Sequence, residues 1–105
     1  MNPEDLSNST VAKLVAAINN GDRTAFLAQL TPDATLTDDG TERTVGDWID
    51  REIFTVSGHM TVDREEDHGL RLYARYRNDT WGAMSTVWQF RLTGDKISRI
   101  DTGQA

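Results

Sequence analysis

The sequence predicts an α+β domain whose helices come first and whose sheet comes last. Apolar residues recur at helical spacing through the first half of the chain, and from His59 onward residues alternate along long runs separated by turn residues. The length of 105 residues suits one domain, 1–105, and leaves no room for a second. A domain of this size buries a modest core, so a surface that covers more apolar area would stabilise it.

Val11, Leu14, Val15 and Ile18 fall at i, i+3, i+4 and i+7, with Leu6 extending the stripe, and predict the first helix. Gly21 is placed to end it in a left-handed conformation. Asp22 can then cap a second helix that buries Phe26, Leu27 and Leu30 and stops at Pro32. Ala34 to Asp38 alternates weakly into Asp39-Gly40, which predicts a short strand, a tight turn and a return strand over Glu42 to Val45. Asp47 is the expected cap of a third helix carrying Trp48, Ile49, Ile53 and Phe54, ended by Gly58. Three or four long strands follow, roughly His59 to Asp67, Leu70 to Asn78, Trp81 to Thr93 and Lys96 to Gln104. Their connections, at Asp67-His68-Gly69, Asn78-Asp79 and Thr93-Gly94-Asp95, are hairpin turns, so the sheet is expected to be antiparallel.

Eleven basic and seventeen acidic residues leave a formal charge of −6, which argues against nucleic acid or an anionic membrane as partner. The chain has no cysteine, which excludes disulfides and thiolate metal sites. Neither the basic segment and apolar run of a secretory leader nor a membrane-spanning run is present, so a cytoplasmic location is expected. His59 and His68 lie too far apart on one strand to share an ion, and no metal or cofactor is expected.

Split by face, the strand from Leu70 carries Leu70, Leu72, Ala74 and Tyr76 on one side and Arg71, Tyr73, Arg75 and Arg77 on the other. The next carries Met84, Thr86, Trp88, Phe90 and Leu92 opposite Ala83, Ser85, Val87, Gln89 and Arg91. Neither strand has a purely polar side, and a homodimer joined through the outer sheet face is expected.

The order of elements resembles the nuclear transport factor 2-like superfamily, and within it the SnoaL-like proteins. The residues that carry the resemblance are Asn20-Gly21-Asp22, Leu30-Thr31-Pro32-Asp33-Ala34, Val45-Gly46-Asp47, and the strand pair Trp88-Gln89-Phe90, Gly94-Asp95-Lys96-Ile97 and Arg99-Ile100-Asp101. It implies a cone-shaped domain in which three N-terminal helices pack on a curved antiparallel sheet and leave a pocket open at one end. Ketosteroid isomerase, scytalone dehydratase, limonene epoxide hydrolase and polyketide cyclases share that fold with many proteins that only bind, so it does not by itself separate enzyme from binder.

Compared residue by residue, Asp38 matches the general-base aspartate of ketosteroid isomerase. The isomerase's tyrosine donor falls at Leu14, and its protonated acid at Ala83 or Met84, which speaks against steroid isomerisation. Arg75 matches the arginine of limonene epoxide hydrolase, but the flanking aspartates fall at Arg77 and Thr102. Asp38 is therefore the candidate catalytic residue, a base if apolar walls surround it and a turn residue with Asp39 if they do not. Candidate pocket residues are Leu14, Trp48, Tyr73, Arg75, Met84, Thr86, Trp88 and Thr102. The family comparison places Tyr73 and Arg75 in the pocket, whereas hydrophobicity alone places them outside; Trp88 is either core or pocket wall, and Trp81 either rim or dimer contact. The reading that follows is a small-molecule pocket protein for neutral or anionic hydrophobic compounds, with isomerase-, cyclase- or dehydratase-like acid–base chemistry through Asp38. A non-catalytic binding or dimerisation module of the same fold is the alternative.

Overall fold

The computed structural model describes all 105 residues. Helix α1 spans Ser9–Asn19, and the Asn8 side chain caps it by accepting from the Val11 N–H at 3.0 Å. Gly21 adopts φ +65° just beyond its end, where the Asp22 N–H reaches back to the Ala17 carbonyl at 2.9 Å. That left-handed position suits glycine, as expected. Asp22 then caps α2, Arg23–Ala28, by accepting from the Ala25 N–H at 3.0 Å.

Strand β1 runs over Leu30–Asp38 and is longer than its weak alternation predicts. Pro32 lies inside it, where β1 has no ladder pairing on either side between Leu30 and Thr35, so the missing N–H costs nothing there. Asp39 and Gly40, at φ 49° and 84°, turn the chain into β2, Thr41–Arg43. Helix α3, Val45–Ile49, widens into a π-helical turn over Asp50–Phe54. Asp47 is not its cap: the cap position is Thr44, and Asp47 sits in the first turn, where a carboxylate still favours the helix N-terminus.

Strands β3 (His59–Glu66), β4 (Arg71–Asn78), β5 (Gly82–Thr93) and β6 (Lys96–Gln104) form the expected antiparallel meander. The six strands are ordered β2-β1-β6-β5-β4-β3, and β1 pairs parallel with β6. The sheet is thus mixed, which corrects the antiparallel expectation. Turn chemistry predicts only the pairing of strands adjacent in sequence, and β1 meets β6 with residues 39–95 between them.

The helices pack on one face of the sheet and give the molecule its cone shape. Val11, Leu14, Val15 and Ile18 of α1 are buried against Leu36, Met60, Val62, Leu72, Phe90, Ile97 and Ile100 in a single core. Each such side chain contributes roughly 1.5–3 kcal/mol when fully buried. The Asn19 side chain fastens α1 to β3, donating to the Met60 carbonyl at 2.9 Å and accepting from its N–H at 2.7 Å. No helix is long and apolar enough to cross a membrane.

Candidate functional site

Beyond the core, toward the end of β1, the inner face of the sheet opens into a cleft of about 280 Å³. The strand period determines which residues reach it. Leu36 of β1 is fully buried, and two residues on, Asp38 shares its face and lines the cleft. Across the sheet Asp38 pairs with Thr102, Thr102 with Trp88, and Tyr76 with Met84. All of these line the cleft, as do Thr86 and Asn78. Trp48 and Glu52, one helical turn apart in α3 and the π turn, close it from the helical side, and Trp81 stands at the rim.

The carboxylates are positioned by indoles. Trp48 Nε1 donates to Asp38 Oδ2 at 2.9 Å, and Trp81 Nε1 donates to Glu52 Oε2 at 2.9 Å. The second oxygen of Asp38 accepts no hydrogen bond from the protein. Asp39, the third acid of the cleft, accepts from the Gln104 N–H at 3.0 Å. Arg43 lines the mouth and forms no ion pair.

The donors of the cleft are nearly all spent inside the protein. Tyr76 Oη and Asn78 Nδ2 both donate to the Glu52 carbonyl, at 2.6 and 2.9 Å. Thr86 Oγ1 donates to the Ala74 carbonyl at 2.8 Å and accepts from Trp88 Nε1 at 2.9 Å; Thr102 Oγ1 donates to the Val87 carbonyl at 3.1 Å. Burial, with Glu52 beside it, pushes the Tyr76 hydroxyl well above the usual tyrosine range, so it remains a neutral donor. Trp48 packs edge-on to Trp88, with ring centroids 6.2 Å apart, and Tyr76 is tilted against Trp88 at 5.9 Å.

The structure places the eight candidate pocket residues expected from sequence in three groups. Trp48, Met84, Thr86, Trp88 and Thr102 line the cleft together with Asp38, whereas Leu14 is wholly buried in the core on α1 and does not reach it. Tyr73 and Arg75 are the remaining two, and both lie on the opposite face. Tyr73 pairs with Val87 and Arg75 with Ser85, while Leu72, Ala74 and Tyr76 turn inward. Hydrophobic burial decides the register, and a strand cannot present both sets to one side. On the outside, Arg64 stacks over the Tyr73 ring at 3.9 Å and Arg71 donates to its hydroxyl at 3.0 Å. Arg75 is therefore not a charged group of the cavity.

Glu52, Arg43, Asn78 and Tyr76 were not foreseen as cleft residues. A signal for Glu52 existed in its i+4 spacing from Trp48, and one for Tyr76 in its sharing a strand face with Leu72. Asp38 and Asp39 divide the roles expected of one or the other: Asp39 is the turn residue, with positive φ, and Asp38 faces the cleft.

No protein-family model matches the chain, and no curated protein matches it in sequence. Solved structures do. A candidate polyketide cyclase from Sinorhizobium meliloti is 16% identical and superposes with a TM-score of 0.78, covering 97% of this chain and 99% of its own. A nuclear transport factor 2-like protein of unknown function from Cytophaga hutchinsonii is 12% identical with a TM-score of 0.74, over 94% and 89% of the two chains. The chain has the nuclear transport factor 2-like fold. A protein with the ketosteroid isomerase-like form of this fold, from Catenulispora acidiphila and solved in complex with trimethylamine, is 20% identical with a TM-score of 0.72, over 91% and 85%.

Proposed function

We propose that this nuclear transport factor 2-like domain binds a small organic molecule in the cleft at the end of β1, with Asp38 as its polar anchor. The observation that carries the reading is the Asp38 carboxylate, held by Trp48 through one oxygen and left with the other unspent among apolar and aromatic walls. A volume of about 280 Å³ lies just below the range of drug-sized sites, which points to a small ligand rather than a polycyclic one. The Catenulispora acidiphila neighbour, with trimethylamine bound, is in keeping with a fold that admits small organic molecules.

Binding without turnover is the reading the hydrogen bonds favour. Proton abstraction next to a carbonyl needs a donor that meets the developing oxyanion, and Tyr76, Thr86, Thr102 and the three indoles all donate to protein acceptors. The unspent oxygen of Asp38 supports the second reading, a general base of the cyclase or isomerase kind.

All three tryptophans of the chain line the cleft, so their indole N–H resonances report on it. A fragment set titrated into the labelled protein should shift those three signals, and Asp38→Asn should weaken the polar hits. Shifts confined to the outer sheet face, with the indoles unmoved, would defeat the proposal. Deuterium uptake into a bound ketone in heavy water, lost in Asp38→Asn, would move the case to the general base.

A further inference from the structure

We propose that the cleft selects a small organic cation, a primary ammonium compound with an apolar tail. The inference rests on the cleft being the ligand site and names the chemistry of the ligand. It is carried by a mismatch between what the cleft offers and what it withholds. Three carboxylates line it, Asp38, Asp39 and Glu52, against the single guanidinium of Arg43. Side-chain donors that face it are committed to protein acceptors, whereas Asp38 keeps a free oxygen. A ligand that brings acceptors or negative charge finds little to pair with except the exposed Arg43 and Gln104 at the mouth. A ligand that brings N–H donors and positive charge finds an oriented carboxylate.

The walls fit the same ligand. Trp48, Trp88 and Tyr76 form the apolar side, and Trp81 adds a fourth aromatic at the rim. Aromatic faces attract cations by about 0.5–1 kcal/mol at exposed sites and about 2 kcal/mol when the contact is desolvated. Anions gain nothing from them. Asp38 and Glu52 are each held by an indole N–H, so these two carboxylates are preorganised. Arg51 pairs with Glu52 at 3.3 Å from outside, but its side chain is 57% exposed, so solvent screens it and the cleft stays acidic. The charge is spread along the walls: no three acid or histidine side chains converge as a metal site would require. A spread of negative charge over an aromatic pocket suits an organic ammonium better than a point cation, and a cleft whose charges are mostly of one sign concentrates the opposite one.

The test uses three probes with one tail and different heads: cyclohexylmethylammonium, cyclohexylmethanol and cyclohexanecarboxylate. Each is titrated into the full chain at neutral pH and low salt, with the three indole N–H signals read by NMR. The ammonium should bind on the order of tenfold tighter than the alcohol, a difference of about 1.4 kcal/mol, and the carboxylate should bind most weakly. Asp38→Asn and Glu52→Gln should each reduce ammonium affinity severalfold and leave the alcohol within about twofold, whereas Arg43→Gln should raise ammonium affinity. Thermal melts of each variant confirm that the fold is intact. If the alcohol or the carboxylate binds as tightly as the ammonium and shifts the indoles, the cation inference falls while the cleft reading stands. Ammonium affinity that survives both acid substitutions also overturns it. If none of the three probes moves an indole, the cleft reading and the cation inference fall together.

Discussion

The two faces of the sheet are built from the same strands and carry opposite chemistry. Inside, Leu72, Ala74, Trp88, Phe90 and Ile100 are buried, and the polar groups that remain are mostly carboxylates or hydroxyls tied to carbonyls. Outside stand Arg64, Arg71, Arg75, Arg91 and Arg99, of which Arg91 and Arg99 are direct register partners, with Tyr73 and Val87 half-buried among them. A chain with a formal charge of −6 thus presents arginines on one side of its sheet and acids in the cleft on the other. Net charge describes neither surface. The difference teaches that strand alternation, which assigns residues to faces, also sorts charge.

The largest expected effect lies on the inner face. Trp88 is 1% exposed and packs on Trp48, Tyr76 and Phe90, so Trp88→Ala should destabilise the fold by about 3–5 kcal/mol in urea titration. Tyr73→Ala, on the neighbouring strand but facing outward opposite Val87, should cost less than half as much. Equal losses would break the comparison, because the outer face would then hold the fold as strongly as the inner one.

A smaller effect tests the indole and carboxylate pair. Trp48→Phe keeps an aromatic ring against Trp88 and removes the N–H that Asp38 accepts. It should cost about 1–3 kcal/mol, the scale for leaving a part-buried acceptor unpaired, and reduce the affinity of any ligand that engages Asp38. Unchanged stability would show that Asp38 is satisfied by solvent.

The outer face is tested by acid. Asp101 loses something to burial, but a hydrogen bond from Thr37 and the Arg99 guanidinium outweigh it and hold the carboxyl below the ordinary carboxylate range. A depressed folded value means that the stabilisation is fully present above the ordinary carboxylate pKa and is lost as pH falls through the folded value. The urea midpoint of the wild type should therefore decline more steeply below about pH 4 than that of Asp101→Asn. Parallel curves would remove Asp101 from the account of acid stability.

The smallest effect is expected at Arg75. It is exposed and its register partners are Thr61 and Ser85, with no side-chain hydrogen bond or ion pair of its own, so Arg75→Ala should change stability by no more than about 0.5 kcal/mol and leave cleft binding unaltered. The same variant sharpens the question of assembly. A homodimer through the outer face should scatter light at about twice the 11.8 kDa chain mass. Arginines brought face to face across a two-fold axis repel, so removing one should tighten such a dimer. A monomeric mass for both proteins would leave the outer face free.

Much of this molecule was legible in the chain. The stripe from Val11 to Ile18, the Asn20-Gly21-Asp22 junction, the Asp39-Gly40 turn and the four strands after His59 depend on neighbours a few residues apart, and local spacing determines them. So does the position of Asp38 at the end of its strand. The choice of face for β4 was not legible in the same way, because Leu72 and Tyr76 on one side and Tyr73 with the arginine stems on the other are both amphipathic. Packing against α1 and the core resolved it in favour of the more apolar set. The parallel pairing of β1 with β6 and the meeting of Trp48 with Asp38 and of Trp81 with Glu52 join segments that no turn connects. Local propensity has no term for such contacts, since they form only when a shared core draws distant segments together. The elements and their order thus follow from sequence alone, whereas the acidity and aromatic lining of the cleft were decided by tertiary structure.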